Sequence, residues 1–577
     1  MESIPAFDRR FFRSASVFAR IGGGDVGGKA AGLVRIRDAL EGKVQGRIDG
    51  IDVVIPRVVI LTTDAFDAFM RANDLYGRVT EALPDDRLAH AFQRADLPPE
   101  AVGDLRALAE EAHQPLAVRS SSLLEDALEQ PFAGVYETKM IPNNQPEAAQ
   151  RFRRLSEAVK LVYASTFFRA ARTYRRAAGV GERDEKMAVV IQEVVGGRHG
   201  DRFYPVLSAV ARSYSYYPIG GASREAGVAS LALGLGKTIV DGGLCWSYSP
   251  QRPTAPRPFA SVQQMLTETQ TRFWAVNMAA PGEKDPTAPA EYLVSAGLAE
   301  AEYDGTLRSV ASTYDGASDR LRPGTGVDGP RVLDFAPLLQ LRQWPLNEMI
   351  LALLETAGDV VGGPVEIELA VSLPDRSGGV ARAGFVQVRP MMAPRERVEV
   401  TASELEGERT LLASERAMGN GVERAVRDVV FVDPDRFETK HTAEIAREVE
   451  EVNGRLLSEG RPYLLIGFGR WGSSDPWLGI PVSWGQVVGA RAIVEATRPD
   501  LRVEPSQGSH FFHNLSSTGV LYFSVRHEPG PGIDWPWLDA QAEVARTERL
   551  RHVRTEAPLE IRVDGRTGLG VVLKGGD

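Results

Sequence analysis

Ala30, Leu33, Ile36 and Leu40 recur at the spacing of one helical face directly after the stretch GGGDVGGKAAG at 22–32, so those glycines open a helix. VVIPRVVIL at 53–61 is almost unbroken apolar sequence and predicts a buried strand. TTDAFDAFMRAN follows it as a second helix, capped by Thr63 or Asp64. Residues 75–114 are acidic and helical. PLAVRSSS at 115–122 predicts a strand running into serines, FAGVYETKM at 132–140 a short strand after a turn, and 148–179 a long helix pair. MAVVIQEVV at 187–195 predicts a fully buried strand. Gly, Pro, Asp and Ala dominate from about 281 to 330, which predicts a long insertion or loop. Beyond it, LNEMILALLETAGDVV predicts a helix, and VEIELAV and RAGFVQVRPMM predict strands, the last ending at Pro390.

A charged, helix-prone connector at 396–410 then separates two patterns. The last portion alternates strands (DVVFVDP, PYLLIGFGRWG, GARAIVEAT, GVLYFSV) with helical sequence (TAEIAREVEEVNGRLLSEG), which predicts a separate mixed α/β domain over 411–577. A chain of 577 residues, 43% hydrophobic, fills more than one core. Its 67 basic and 77 acidic residues give a net charge of −10, with no basic run or aromatic-interleaved stripe, so nucleic acid is not an expected partner. The single cysteine, Cys245, excludes an internal disulfide framework and a thiolate metal cluster. No segment approaches the roughly eighteen apolar residues of a membrane span, and the expected location is cytoplasmic. Lysine is rare beside arginine, so a lysine that persists marks a place where a compact ammonium is wanted.

Three glycine-rich stretches imitate nucleotide motifs. Gly23 to Lys29 has the G-x-x-x-x-G-K frame of a P-loop, but Ala30 stands where a Mg²⁺-binding hydroxyl belongs. LALGLGKTIVDGG has Leu231 in place of the first glycine. Gly467, Gly469 and Gly472 form G-x-G-x-x-G after a strand, yet Asp475-Pro476 follows where a helix should start.

The first 395 residues taken together offer a different reading. VGGKAAGL, AVRSSSLLED, FAGVYET, VVIQEVV, GLGKTIVDG, VEIELAV and VQVRPMM occur in the order and with roughly the spacing of the ATP-binding domain of phosphoenolpyruvate synthase, pyruvate phosphate dikinase and rifampin phosphotransferase. The chain resembles that family over about two thirds of its length. The resemblance implies an α/β (α+β) fold, a two-lobed ATP-grasp-like domain (1–395, with lobes at roughly 1–245 and 246–395) followed by the smaller mixed α/β domain, and it implies ATP and Mg²⁺ as ligands.

By the same resemblance, Lys29 and Arg119 match the family's phosphate-contacting cations. Gly134 and Thr138, fifteen and nineteen residues beyond Arg119, match the loop over the phosphates; Gln192 matches the adenine-binding position, and Gln387 and Arg389 the closing pair. The chemistry is coherent, because polyphosphate needs cations and a divalent metal needs carboxylates. Glu366 and Glu368 lie two apart on one strand and share a face, where a cation would relieve their repulsion. In isolation Arg119 with its serines is equally a helix cap, and the glutamate pair a solvated strand face. Lys237 departs from the family, which has an acidic residue after GLG.

Histidine is scarce, eight in all, and two lie in EPSQGSHFFHNLSSTG. No Thr-Ser-His-Ala segment of the family's phosphohistidine domain is found, and the roughly 170 residues after the ATP-binding part are too few for its barrel of about 250. His510 and His513 are therefore the candidate phosphoryl acceptors or bases. The bland alternative is a strand of half-buried histidines. Arg470, Ser473 and Ser474 of GFGRWGSSDPW are candidate anion ligands expected to face the histidines across an acceptor site.

The resulting expectation is an ATP-dependent phosphotransferase acting on a small molecule or a partner protein. An ATP-grasp carboxylate–amine ligase and a non-catalytic ATP-sensing module are the alternatives.

Overall fold

The computed structural model describes residues 4–576 apart from 80–82, 126–133, 179–180, 182–184, 256–258, 260, 280–284, 375–378, 393–397, 474, 500, 502–508 and 528–531. Its architecture is mixed α/β with several sheets. The strands Phe18–Ile21, Val58–Leu61, Met187–Glu193, Leu116–Ser122 and Thr138–Ile141 form a five-stranded sheet in that spatial order. A six-stranded sheet runs Trp246–Tyr248, Val228–Ala232, Leu207–Arg212, Val365–Ser372, Ala381–Pro390 and Ile51–Val54. The first sheet draws on residues 18–193 and the second on 207–390, except that Ile51–Val54 crosses into the second sheet by pairing parallel with Ala381–Gly384. Sequence order misses this because strand pairing is non-local.

The Gly27–Lys43 helix buries Ala30, Leu33, Ile36 and Leu40, as its periodicity predicts. Helix Thr63–Ala72 begins one residue earlier than expected: Thr62 holds the N-cap position, and its hydroxyl bonds Ile21 O instead of capping. The expected loop at 281–330 is substantially ordered. Leu293–Gly297 pairs with Arg272–Asn277, and Ala311–Asp315, Arg320–Pro323 and Arg331–Leu333 make a three-stranded sheet. Its glycines and prolines mark turns between short strands.

After the short helix Ala402–Leu405 in the connector, the later part is built on a seven-stranded sheet ordered Ala417–Met418, Leu521–Val525, Ala490–Ala496, Tyr463–Phe468, Asp428–Val432, Leu550–Arg554, Ala542–Arg546. Leu521–Val525 through Asp428–Val432 pair parallel, and their runs are buried except at Arg491, as covered parallel strands require. Thr410–Ser414 starts a second, four-stranded sheet with Leu569–Leu573, Glu560–Asp564 and Gly421–Glu423.

One continuous apolar cluster joins Phe66, Phe69 and Tyr163 of the first part to Trp484, Phe511 and Leu515 of the second. The two parts are thus packed together. No helix among the described residues is long and apolar enough to cross a membrane.

Candidate functional site between the two sheets and the His510 helix

The opening glycines have a structural job. Gly27 has φ +75°, and a Cβ there would stand 1.7 Å from Ser121 O; a Cβ on Gly28 would stand 1.7 Å from Glu125 O. Glycine is needed so that the helix start can lie against the end of the Leu116–Ser122 strand. That contact places Lys29 beside Ser120 and Glu125. Its ammonium donates to Glu125 Oε1 (2.5 Å), Ser120 Oγ (3.0 Å) and Ser120 O (3.1 Å). Glu125 is held in turn by Ser120 Oγ and by the Ser122 N–H. Sequence reasoning overlooked Glu125, although it lies within the quoted block AVRSSSLLED.

The second group of charges is a cross-strand row. Glu366 lies in register with Arg389 on one side and Arg212 on the other, and Glu368 with Gln387. Arg212 Nε donates to Glu366 Oε2 at 2.5 Å, Arg389 Nε lies 3.4 Å from Glu366 Oε1, and Arg389 Nη2 donates to Glu368 Oε1 at 2.6 Å. Arg119 reaches over from the five-stranded sheet, donating from Nη2 to Gln387 Oε1 (2.6 Å) and Glu368 Oε2 (3.2 Å), and from Nη1 to Gln192 Oε1 at 3.5 Å. Burial alone would raise the Glu368 carboxyl, but the guanidiniums of Arg389 and Arg119 outweigh it and hold it at about 2.

The expected metal pair lies in this row. Arg119, Arg212 and Arg389 already neutralise Glu366 and Glu368, and among the described residues no group of three His, Cys, Asp or Glu side chains gathers. As arranged, the pair does not fit a metal ion, since both carboxylates are shared between guanidiniums. Arg212, invisible as an isolated arginine in the sequence, is the third cation.

A nucleotide fits better. Gln192 is 2% exposed, and its amide Nε2 has no acceptor among the described residues, as a nucleobase-binding amide would before its ligand arrives. Thr138 sits in register with Arg119. Lys237 points elsewhere, its ammonium pairing with Asp241 Oδ2 at 2.5 Å.

The later part of the chain closes this site. HFFH is not a strand: His510–Ser517 is a helix, capped by Ser509 Oγ, which accepts from Phe512 N. Its apolar positions satisfy either period over so short a run. A Cβ on Gly134 (φ +64°) would lie 2.6 Å from His510 Nδ1, so the expected phosphate loop packs directly on that imidazole; the neighbouring Phe132 and Ala133 lie outside the described residues. His513 Nδ1 is 3.8 Å from Glu366 Oε2. Phe512 packs on Tyr216 and Tyr217, under the Arg212 guanidinium. Burial, with Arg389 beside it, pushes the His510 imidazole down to about 3; burial with Arg389 and Arg212 takes His513 well below its ordinary value. Both rings are neutral at pH 7.

Arg470 and Ser473 do face the histidine helix. Phe511 packs on Gly472, Arg470 Nη1 donates to Gly242 O (2.9 Å), and an enclosed cavity of about 10 Å³ is lined by Gly242, Arg470, Ser473, Glu495, Ser509 and Tyr522. That is room for about one water. Ser474 lies outside the described residues. Glu495, which accepts from Trp471 N at 2.9 Å, is pushed by burial up to about 7. Its signal in the sequence was one acid inside the apolar run of GARAIVEAT.

Arg119 thus bridges two sheets of an ATP-grasp-like nucleotide-binding domain. Residues 24–409 match the pyruvate phosphate dikinase AMP/ATP-binding domain, and the chain belongs to that family. It is 30% identical over 232 residues to a rifampicin phosphotransferase from Streptomyces sviceus, covering 38% of this chain and 23% of that protein. It is 25% identical over 238 residues to a phosphoenolpyruvate synthase from Aeropyrum pernix, covering 38% of this chain and 25% of that protein. The match thus spans about a quarter of the length of these curated relatives.

Proposed function

We propose that the protein is an ATP-dependent phosphotransferase that binds ATP between its two N-terminal sheets and uses His510 as the first phosphoryl acceptor. The observation carrying this reading is the contact of a half-buried, neutral His510 with Gly134, in the field of Lys29, Glu368 and Arg389. Lys29 and Arg119 would leave their carboxylate partners for phosphate oxygens, and Gln192 would hold the base. Magnesium would be carried in by the phosphates rather than held by the Glu366–Glu368 pair.

In the transfer step, the unprotonated ring nitrogen of His510 attacks phosphorus and the bridging P–O bond breaks. The other nitrogen then sheds its proton. Attack at the γ-phosphorus releases ADP; attack at the β-phosphorus moves a pyrophosphoryl group and releases AMP. A small acceptor would then take the phosphoryl group from His510, its hydroxyl losing its proton to solvent as the P–N bond breaks. A separate partner protein is the other source of such a hydroxyl.

Incubation with ATP labelled at the β- or γ-phosphate should leave acid-labile label on wild-type protein and none on His510→Ala, while His513→Ala retains it. Label that survives in His510→Ala removes the acceptor assignment. A second reading is supported by the depth at which the helix is seated: ATP binding could expel it and so report nucleotide to a partner. Tight ATP binding without AMP or ADP release, unchanged in His510→Ala, would select that reading.

A further inference from the structure

A wide cavity lies away from the nucleotide site, at the amino ends of the Tyr463–Phe468 and Ala490–Ala496 strands, whose carboxyl ends carry Arg470 and Glu495. It is an open groove of about 680 Å³, walled by Tyr174 of the Arg169–Ala178 helix, by Leu457 and Pro462, and by Trp484, Val488 and Val520. A volume of this size accommodates an ordinary metabolite or drug-sized molecule. Its walls are not uniformly apolar. Arg491 lines it, is exposed, and has no carboxylate partner among the described residues, whereas the other lining arginine, Arg461, is committed to Asp428 and Glu459. Glu423 is the acid in the lining, and it accepts from the Ala425 N–H. Trp484 adds a second polar group: its indole N–H is buried and without an acceptor among the described residues.

We infer that this groove binds a small amphipathic organic anion, its aromatic or aliphatic body against Trp484, Val488 and Tyr174 and its carboxylate, sulfonate or phosphate on Arg491. An uncommitted guanidinium at the rim of an apolar slot selects that chemistry, since it can donate two parallel hydrogen bonds to one planar or tetrahedral anion. The site is independent of the phosphotransfer reading, and its position gives it reach. Trp484 packs edge-on against Phe511 at 5.8 Å between ring centroids, and Thr518, which ends the His510 helix, also lines the groove. An occupant therefore touches the helix that plugs the nucleotide site, at the helix's opposite end.

Titration of the full-length protein with anilinonaphthalene sulfonate, an aryl anion that fluoresces in apolar surroundings, tests the assignment against phenylnaphthylamine, the same aryl body without the charge. Wild-type protein should bind the sulfonate saturably and about tenfold or more tighter than the neutral amine. Arg491→Glu should remove that preference while leaving the amine's affinity unchanged. Val488→Trp, which fills the slot, should abolish both, with an unchanged melting temperature showing that the fold persists. Equal affinity of wild type for the two probes, or sulfonate binding that survives both substitutions, overturns the proposal.

Discussion

Glu366 and Glu368 show how much depends on which charges surround a carboxylate. Side-chain exposure is 3% at Glu366 and 14% at Glu368, so the deeper residue leaves the larger uncompensated charge when its partner is removed. Glu366→Gln strands Arg212 in the interior and leaves Arg389 to Glu368, and should cost about 3–5 kcal/mol in urea denaturation. Glu368→Gln should cost less, and equal losses would contradict the burial difference. Glu495 is the opposite case, a carboxyl kept neutral by burial. Unfolded, it titrates near 4.5; folded, near 7. The folded state therefore holds the extra proton between these values, and stability should fall as pH rises from about 4.5 to 7, by up to about 3 kcal/mol. His510 opposes this over part of the range, because its folded value lies below its unfolded one and it favours folding as pH rises from about 3 to 6.5. Glu495→Gln should consequently make stability climb more steeply between pH 4.5 and 6.5, as read from melting temperatures across that range. These charges were partly legible in sequence: same-face spacing located Glu366, Glu368, Gln387 and Arg389 together, whereas Arg212 and Glu125 came in through strand pairing and a helix start that no local pattern encodes.

Among the elements, the two glycine-dependent contacts separate fold from function. Gly27 and Gly28 bring a helix against backbone carbonyls, and Gly28→Ala would place a Cβ 1.7 Å from Glu125 O. Because the obstruction is backbone, the helix start must move, carrying Lys29 with it. This substitution should weaken ATP binding in calorimetry by about tenfold or more and lower stability together. Gly134 instead meets the His510 ring, which belongs to another part of the chain. Gly134→Ala should leave ATP affinity within about twofold and depress labelling of His510, since it pushes away the acceptor and not the nucleotide ligands. Loss of ATP binding in Gly134→Ala would show that the loop serves the nucleotide alone. The helical state of HFFH could not be read in advance, because Phe511, Phe512 and Leu515 fit several periodicities over eight residues and the Tyr216–Tyr217 surface on which Phe512 packs lies about 300 residues earlier.

Across the whole molecule, the order of blocks identified the nucleotide domain, while the meaning of the C-terminal part emerged only from its docking. Its parallel strands were legible as buried apolar runs; that its short His510 helix would seat on the six-stranded sheet was not, because neither surface advertises the other. The docking rests heavily on Phe512, 3% exposed and clasped by Tyr216, Tyr217 and Arg212. Replacing a buried phenylalanine by alanine costs about 3–5 kcal/mol, and here the loss falls on an eight-residue helix at a boundary rather than on either set of sheets. Local opening of that helix should therefore become about a hundredfold more frequent in Phe512→Ala, seen as faster amide exchange confined to 510–517, with the central strands unchanged. The same opening uncovers Lys29, Arg119 and Gln192, so ATP should associate faster with this variant while labelling of His510 declines. Faster association with undiminished labelling would mean that the helix gates the nucleotide without receiving its phosphoryl group.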